Sequence, residues 1–252
     1  MKTLHAYLCV MPNSYFQFKQ FTIHQDQCAM KVCTDACLFG AWVGRKVESG
    51  QLTVDRKNER ALDIGTGTGL LALMLAQKFD GVIDAIDIQQ DAAQQATANA
   101  ADAVWGERIH VHHTDLSNWQ APSYDLIVSN PPFYEKDLKS PDSQRNLALH
   151  DTGLTLVSLF ENVTRLLKSN GKFALLLPAH RKKEAIDLAA QKGLTATETI
   201  EVCQTEKHTP FRVMFWFEKS ITASEKKTIR IKENGVYTEA FTELLKDYYL
   251  AF

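Results

Sequence analysis

The chain has 252 residues, of which 45% are hydrophobic, and this suits one globular domain with short additions or at most two small domains. No stretch approaches the roughly 18 consecutive apolar residues of a membrane-spanning helix. Residues 1–20 lack the basic segment, apolar run and small-residue cleavage site of a secretory signal. We therefore expect a cytoplasmic protein without a membrane partner. The formal net charge of -2 argues against a protein held to nucleic acid by bulk electrostatics.

The charge is unevenly distributed along the chain. Residues 61–135 carry 2 bases and 10 acids, whereas residues 1–60 and 136–252 each have a net charge of +3. Within residues 136–183 there are 9 bases against 4 acids. This basic segment predicts either a rim that contacts phosphates or an ordinary solvated surface, and the composition leaves both interpretations open.

Three of the five cysteines form a cluster near the N-terminus, Cys28-x4-Cys33-x3-Cys37. An odd number of cysteines in a chain large enough to bury a core argues against disulfides. A zinc site or redox sensor would suit the cluster, but C-x2-C pairs and a fourth ligand nearby are lacking. We favour small apolar residues on a buried helix and predict no metal site.

From residue 60 onward the sequence alternates between strand-like and helix-like segments. Short apolar or alternating runs predict strands at 60–64, 82–88, 108–113, 124–129, 172–177, 195–203 and 211–217. Helical spacing and end signals predict helices at 69–78, 91–104 (capped by Asp91), 154–168 (ended by Asn170-Gly171) and 182–192 (ended by Gly193).

This alternation predicts an α/β fold, a doubly wound, Rossmann-like and mostly parallel sheet formed by residues 60–219. The last two strands have no helix between them, which predicts an antiparallel pair at the C-terminal end of the sheet. Residues 220–252 extend the same domain with a strand at 227–232, a turn at Glu233-Asn234-Gly235 and a helix at 238–249. Residues 1–59 precede the first predicted strand as a separate N-terminal segment.

A glycine-rich turn follows the first predicted strand, Asp63-Ile64-Gly65-Thr66-Gly67-Thr68-Gly69. Its G-x-G-x-G spacing differs from the G-x-G-x-x-G of dinucleotide-binding folds and resembles motif I of the class I methyltransferases. Glycines permit positive φ and a close approach of the backbone to a ligand. Asp63 can pair with an ammonium group, which S-adenosylmethionine has and NAD lacks. The expected cofactor-binding residues of this turn are Asp63, Gly65, Gly67 and Gly69.

Two further carboxylates lie where predicted strands end. Asp87 follows the second strand, where a carboxylate accepts hydrogen bonds from both hydroxyls of a ribose, although an aspartate there can also cap a helix. Asp115 follows the third strand, and the resemblance implies that it binds the amino group of the cofactor adenine.

The segment Asn130-Pro131-Pro132-Phe133 directly follows the predicted strand 124–129. The exocyclic nitrogen of adenine is a poor nucleophile, because it is conjugated with the ring. The Asn130 side-chain oxygen and the Pro131 carbonyl can accept hydrogen bonds from that nitrogen and stabilise its developing positive charge. The prolines fix these acceptors, and Phe133 offers a face on which a flipped base can stack. We expect Asn130, Pro131 and Phe133 to be catalytic.

Two longer segments resemble the bacterial tRNA (adenine-N6)-methyltransferases that modify adenine 37, next to the anticodon of a valine tRNA. Residues 21–42 resemble the N-terminal signature of that family and residues 234–250 its C-terminal end, so the resemblance covers nearly the whole chain. This chain departs from the family in two places, because glycine is expected where Cys33 stands and glycine or another small residue where Ala36 and Cys37 stand.

The resemblance implies a fold, a methyl donor and a substrate. Residues 1–59 are expected to pack over the site for S-adenosylmethionine, with Thr34 and Asp35 as further cofactor-binding residues. The substrate is expected to be the anticodon stem-loop of a tRNA, whose unstacked bases flip easily, bound by a monomer without a protein partner. The expected substrate-binding residues are Pro132, Lys136, Arg145, Arg181, Lys182 and Lys183, with Lys139 and residues 226–232 as further contacts. His24 and His150 are secondary candidates, although a surface or core histidine is the better interpretation of each.

Three other functions are compatible with parts of this pattern. A protein glutamine-N5 methyltransferase of release factors also acts on a planar nitrogen, but it usually has a tyrosine at position 133 and a longer N-terminal helical domain. An rRNA guanine-N2 methyltransferase also carries the Asn-Pro-Pro-Phe sequence, but usually on a duplicated domain. A non-catalytic binding protein is the third alternative, and an intact pair of motifs argues against it.

Overall fold

The computed structural model of the chain describes residues 13–28, 31–52, 58–131, 154–219 and 224–252. The strands are β1 Tyr15–Gln17, β2 Thr22–His24, β3 Arg60–Ile64, β4 Val82–Asp87, β5 Ile109–His113, β6 Tyr124–Ser129, β7 Leu167–Pro178, β8 Thr195–Cys203, β9 Arg212–Glu218, β10 Glu225–Arg230, β11 Lys232–Glu233 and β12 Val236–Tyr237. The helices are α1 Thr34–Glu48, α2 Leu70–Ala76, α3 Gln90–Ala101, α4 Leu156–Leu166, α5 Lys182–Gln191 and α6 Glu239–Leu245. None of these described helices has the length and apolar character needed to cross a bilayer.

Eight strands form one sheet in the order β10-β8-β9-β7-β6-β3-β4-β5. Neighbouring strands are parallel except at β9, which runs antiparallel to both β7 and β8. The prediction of a mostly parallel sheet with an antiparallel pair at its C-terminal end is therefore confirmed. The strand order reverses between β3 and β6, where crossovers leave in opposite directions and a crevice opens at the carboxyl ends of the strands.

Alternate residues of the central strands pack into two separate hydrophobic cores, one on each face of the sheet. Along β7, Ala174 and Leu176 face a core shared with α1, α2 and α6, whereas Phe173 and Leu175 face a core shared with α4 and α5. A period of two along a strand and apolar cover on both faces define a doubly wound sheet. All seven residues of α2 are buried, because α1 covers the face of α2 that does not touch the sheet.

The boundary between α4 and β7 differs from the prediction. The helix ends at Leu166 and β7 begins at Leu167, although a helix to 168 and a strand from 172 were expected. Leu167 already pairs with Tyr124, and a register shift before Leu126 accommodates residues 168–171. Gly171 does not end the helix; it lies against β6, where an added Cβ would stand 2.8 Å from the Tyr124 carbonyl oxygen.

The cap expected at the start of α3 is also wrong. The N-cap residue is Gln89, no side chain caps the helix, and Asp91 lies within the first turn. At that position the carboxylate still interacts favourably with the positive end of the helix dipole.

The segment before β3 contains more structure than predicted. A hairpin of β1 and β2 precedes the first predicted strand, with Phe16 paired to Ile23. The Asn99 side chain, which is 1% exposed on α3, holds this hairpin by accepting from the His24 amide at 2.9 Å and donating to the His24 carbonyl at 2.8 Å. Of the three clustered cysteines only Cys37 lies on a buried helix, so that prediction is wrong for Cys28 and Cys33, which precede α1.

The tail follows the predicted order of strand, turn and helix. β10 pairs in parallel with β8 and widens the sheet, and β11 and β12 form a hairpin whose turn places Asn234 and Gly235 at φ of 49° and 80°. The Thr238 hydroxyl caps α6 by accepting from the Phe241 amide at 3.3 Å. The helix ends at Leu245, four residues earlier than expected.

Candidate active site

The glycine-rich turn and Asn130 leave two neighbouring strands at the same edge of the sheet. Ile64, the last residue of β3, is the register partner of Ser129, the last residue of β6. The Ser129 hydroxyl donates to the Ile64 carbonyl at 2.9 Å, which ties the two strand ends together. Adjacent strands lie about 4.8 Å apart, so the two motifs border one crevice at the point where the strand order reverses. The register of β3 and β6 therefore brings the glycine-rich turn and Asn130 to the same crevice.

The turn after β3 is shaped to leave room for a ligand. Gly65 and Gly67 have φ of 72° and 58°, in the left-handed region that disfavours other residues. A Cβ added to either would meet no atom of the described residues within 4 Å, so the backbone borders open space. Gly69 has a packing role, because an added Cβ would stand 3.3 Å from Ala96 of α3.

Asp63 is a fully buried carboxylate beneath this turn. One of its oxygens accepts from the Thr66 hydroxyl at 2.7 Å, and the other has no hydrogen-bond partner among the described residues. Burial raises the pKa of Asp63 to about 7; the Thr66 hydrogen bond opposes that rise, the charge of Asp87 adds to it, and a weaker contact from the Ala72 backbone amide opposes it. A buried carboxylate with an unsatisfied oxygen is a site for a cationic group.

Asp87 closes the opposite side of the turn. Its two oxygens accept from the amides of Gly67 at 2.9 Å and Gln89 at 2.8 Å. Each carboxylate oxygen has further acceptor capacity, so these contacts orient the group without exhausting it. The Gln89 contact shows that Asp87 also holds the residue at the N-cap position of α3.

Asp115 lies at the same edge, beyond β5. Its side chain accepts from the Ser117 amide at 2.7 Å and thereby caps a short 3-10 helix, Leu116–Asn118. The group is partly exposed, and its neighbour Thr114 donates its amide to the Asp87 carbonyl at 2.9 Å. The structure therefore assembles Asp63, Asp87 and Asp115 along one side of the crevice.

Asn130 and Pro131 stand directly beyond β6. Asn130 is partly exposed, and Pro131 is buried. The positions expected to complete this side of the crevice lie outside the described residues: Pro132, Phe133, Lys136, Lys139, Arg145 and His150.

Thr34 and Asp35 are at the start of α1, on the other half of the edge. Asp35 accepts from the Arg212 Nε at 2.6 Å, while Thr34 is exposed. Arg212 begins β9, which neighbours β7 and not β3. The ion pair therefore draws Asp35 toward the half of the crevice beyond Asn130 and away from the glycine-rich turn.

The predicted basic cluster follows β7 at the same edge, and each member has an acidic partner. Arg181 lies 2.7 Å from Glu184, Lys182 lies 2.8 Å from Glu201, and Lys183 lies 2.5 Å from Asp187. Such exposed ion pairs are weak, so a phosphate can compete with the carboxylates for these three bases. The bases and their acidic partners together carry almost no net charge.

The loop after β2 lies beside α3, where the Gln27 amide donates to the Gln95 side-chain oxygen at 3.1 Å. Burial raises the pKa of Cys28 to about 11, and the charges of Asp87 and Asp91 raise it further, because both carboxylates are close to its sulfur. The loop is organised by Gln25, whose side chain accepts from the Val32 amide at 2.8 Å and donates to the Asn13 carbonyl at 3.0 Å. The backbone of His24 is held by Asn99, and its side chain is exposed.

Two structural residues of the site were missed from the sequence. Asn99 also donates to the Thr68 carbonyl at 2.8 Å, so one side chain joins the N-terminal hairpin to the glycine-rich turn. The signal that marks Asn99 is a polar residue on the buried face of α3, which is alanine at every other position except Gln95. Arg212 carried no signal beyond being a base near the start of a predicted apolar strand.

The described residues fit the chemistry of a cationic nucleoside. One buried oxygen of Asp63 has no hydrogen-bond partner among the described residues, and Cβ atoms added at Gly65 and Gly67 would enter open space. The Asp87 carboxylate is oriented by the Gly67 amide of the same turn. In the described ranges no group of three or more His, Cys, Asp or Glu side chains is arranged to hold a metal ion.

Comparison with solved structures shows the fold. A predicted O-methyltransferase from Agrobacterium tumefaciens has a TM-score of 0.58 at 18% identity, with 84% of this chain and 96% of that chain covered. A magnesium protoporphyrin IX methyltransferase from Synechocystis with bound SAM has a TM-score of 0.53 at 14% identity, with 74% and 80% covered.

Sequence comparison shows the family. Residues 49–214 match the family model of the methyltransferase small domain. A tRNA1(Val) (adenine(37)-N6)-methyltransferase from Parabacteroides distasonis is 41% identical over 246 residues, which cover 95% of this chain and 99% of the relative. A protein of the same name from Cytophaga hutchinsonii is 39% identical over 246 residues, with the same coverage. The chain belongs to the tRNA1(Val) (adenine(37)-N6)-methyltransferase family of methyltransferase small domain proteins.

Proposed function

We propose that this protein transfers a methyl group from S-adenosylmethionine to the exocyclic N6 of adenine 37 in a valine tRNA. The observation that carries the proposal is the register of β3 and β6, which brings the glycine-rich turn and Asn130 to one crevice. The names of the relatives at 36–41% identity supply the substrate.

The cofactor half of the crevice is assigned to the acidic side. The ionised Asp63 pairs with the ammonium of the methionine moiety, Asp87 binds the ribose hydroxyls and Asp115 binds the adenine amino group. Gly65 and Gly67 allow the backbone to approach the ligand without a Cβ in the way. S-Adenosylmethionine supplies an electrophilic methyl group on a sulfonium.

The substrate half is assigned to Asn130 and the residues that follow it. The Asn130 Oδ1 and the Pro131 carbonyl accept hydrogen bonds from the N6 amino group, which directs its lone pair toward the methyl group. These acceptors stabilise the positive charge that develops on nitrogen during transfer, and the proton leaves afterwards. No titrating base is needed, and Phe133 provides a face on which the flipped adenine stacks.

The segment before β3 is assigned to the cofactor site, as residues 1–59 of the proposed domain arrangement. The hydrogen bonds of Asn99 support this, because they join His24 at the end of β2 to Thr68 of the glycine-rich turn. Residues 60–219 form the methyltransferase domain, and residues 220–252 extend it, since β10 joins the sheet and α6 packs on α1. We place the enzyme in the cytoplasm, as a monomer.

Methyl transfer to tRNA from a strain that lacks this protein tests the proposal. Purified protein and labelled S-adenosylmethionine should label one valine tRNA, and nucleoside analysis should find N6-methyladenosine as the product. The Asn130→Ala variant is the matched control, because it should bind the cofactor and transfer nothing. Label in ribosomal RNA or in a glutamine of a protein, with none in tRNA, would keep the cofactor and reject the substrate.

A further inference from the structure

Arg212 stands at the edge of the sheet where the substrate is expected. It begins β9 and is the register partner of Pro178, the last residue of β7. Since β9 runs antiparallel to β7, the start of β9 shares an edge with the end of β6. Two strand spacings, about 10 Å, separate β9 from β6, a distance on the scale of one nucleotide.

The guanidinium of Arg212 has donors to spare. Its Nε donates to Asp35 Oδ2 at 2.6 Å, and Nη1 makes a contact of 3.5 Å with the Phe211 carbonyl, at the limit of a hydrogen bond. Within the described parts of the chain Nη2 donates to no acceptor, and the side chain is 36% exposed. The Phe211 ring lies 5.7 Å from the guanidinium carbon.

Arg181 provides a contrast at the same edge. Its Nε and Nη2 donate to both oxygens of Glu184, at 2.8 Å and 2.7 Å. That bidentate pair occupies the face of the guanidinium fork that would grip a phosphate. Asp35 instead engages Arg212 through Nε, so the Nη side of the fork is oriented and still available.

We propose that Arg212 binds the backbone phosphate next to the target adenosine, with Asp35 as the residue that positions it. The inference rests on the proposed function, because it takes an RNA to be the substrate. It assigns Asp35 to the substrate side of the crevice, where the sequence had suggested the cofactor. Because Asp35 already holds the guanidinium at Nε, the Arg212 side chain loses little conformational entropy when its other donors bind a phosphate.

Three variants test this proposal through binding of valine tRNA in the absence of methyl transfer. Arg212→Gln should raise the Kd for tRNA about tenfold and lower the slope of log Kd against log salt concentration by about 1. Its affinity for S-adenosylmethionine should stay within about twofold. Asp35→Asn breaks the same ion pair but keeps the cation, so it should weaken binding less and leave the salt slope unchanged.

Lys172→Gln is the matched control. Lys172 pairs with Glu218 at 2.8 Å at the opposite end of the same two strands, so this variant removes one charge and one ion pair away from the crevice. Its affinity for tRNA should equal that of the wild type.

Equal losses of tRNA affinity in Arg212→Gln and Asp35→Asn, with the wild-type salt slope in both, would show that the ion pair has only a structural role. That result would overturn the proposal. A loss of cofactor affinity as large as the loss of tRNA affinity would also overturn it. Both results presuppose a wild-type enzyme that methylates tRNA. A wild-type enzyme that does not bind or methylate tRNA would instead refute the proposed function itself.

Discussion

Asp63 gives the most demanding prediction, since its charge is unfavourable in the ligand-free protein and the proposed function requires it. Burial raises its pKa from 3.8 to about 7 in the ligand-free protein. At 1.36 kcal/mol per pKa unit, ionising this carboxyl costs about 4 kcal/mol more in the folded protein than in the unfolded chain. The raised pKa therefore adds to the free energy of unfolding at low pH. This contribution is complete below the unfolded pKa near 4 and is lost as the pH rises through about 7.

Asp63→Asn removes this dependence, because the amide stays neutral and its oxygen can still accept from Thr66. The free energy of unfolding of the ligand-free wild type should fall by about 2 kcal/mol between roughly pH 5.5 and pH 8, and that fall should be absent in the variant. Urea unfolding at a series of pH values measures both. Affinity for S-adenosylmethionine should drop between about tenfold and a hundredfold in the variant, because a charged hydrogen bond is lost.

Asp84→Asn is the control for Asp63→Asn. Asp84 is equally inaccessible on the neighbouring strand but is paired with Arg60 at 2.6 Å and with the Tyr124 hydroxyl at 2.8 Å. Its amide variant should lose stability, because Arg60 is left without its partner. If Asp63→Asn lost stability in the same way and kept the wild-type pH dependence, the reasoning about Asp63 would be refuted.

Three further variants address other parts of the crevice. Asn130→Ala should abolish methyl transfer while cofactor affinity, measured by calorimetry, stays within a few fold; undiminished turnover would remove Asn130 from the acceptor site. Asp87→Ala should weaken binding of S-adenosylmethionine, and an unchanged Kd would place the ribose contact elsewhere. Asn99→Ala should lower the free energy of unfolding by about 2–4 kcal/mol, since His24 and Thr68 lose buried partners, and should also weaken cofactor binding. A lower melting temperature with an unchanged Kd for S-adenosylmethionine would argue that the hairpin of β1 and β2 does not cover the cofactor site.

The central sheet was predictable because its signals are local. β6 and β8 match their predicted ranges residue for residue, since each is an apolar or β-branched run. The positions of the motifs were also predictable, because the carboxyl ends of parallel strands lie at one edge of the sheet for any loop conformation. The sequence therefore located Asp63, Asp87 and Asn130 at the crevice without any knowledge of distances.

The features that the sequence did not predict depend on contacts between distant residues. Arg212 and Asp35 are 177 positions apart, and neither residue type signals the other. β7 begins at Leu167 because that residue meets Tyr124 of β6, while Asn170-Gly171 on its own is typical of a helix end. The hairpin of β1 and β2 is too short for periodicity to show, and it is held by Asn99 from another element.

The measurement that tests the central claim most directly compares two anticodon stem-loops of valine tRNA that differ at one base. One carries adenine at position 37, and the other carries purine there, which lacks the exocyclic amino group but keeps the ring. Single-turnover transfer from labelled S-adenosylmethionine should label the adenine substrate alone, with N6-methyladenosine as the product and no transfer by Asn130→Ala. Equal labelling of both stem-loops would contradict the assignment of Asn130 and Pro131 to an exocyclic nitrogen.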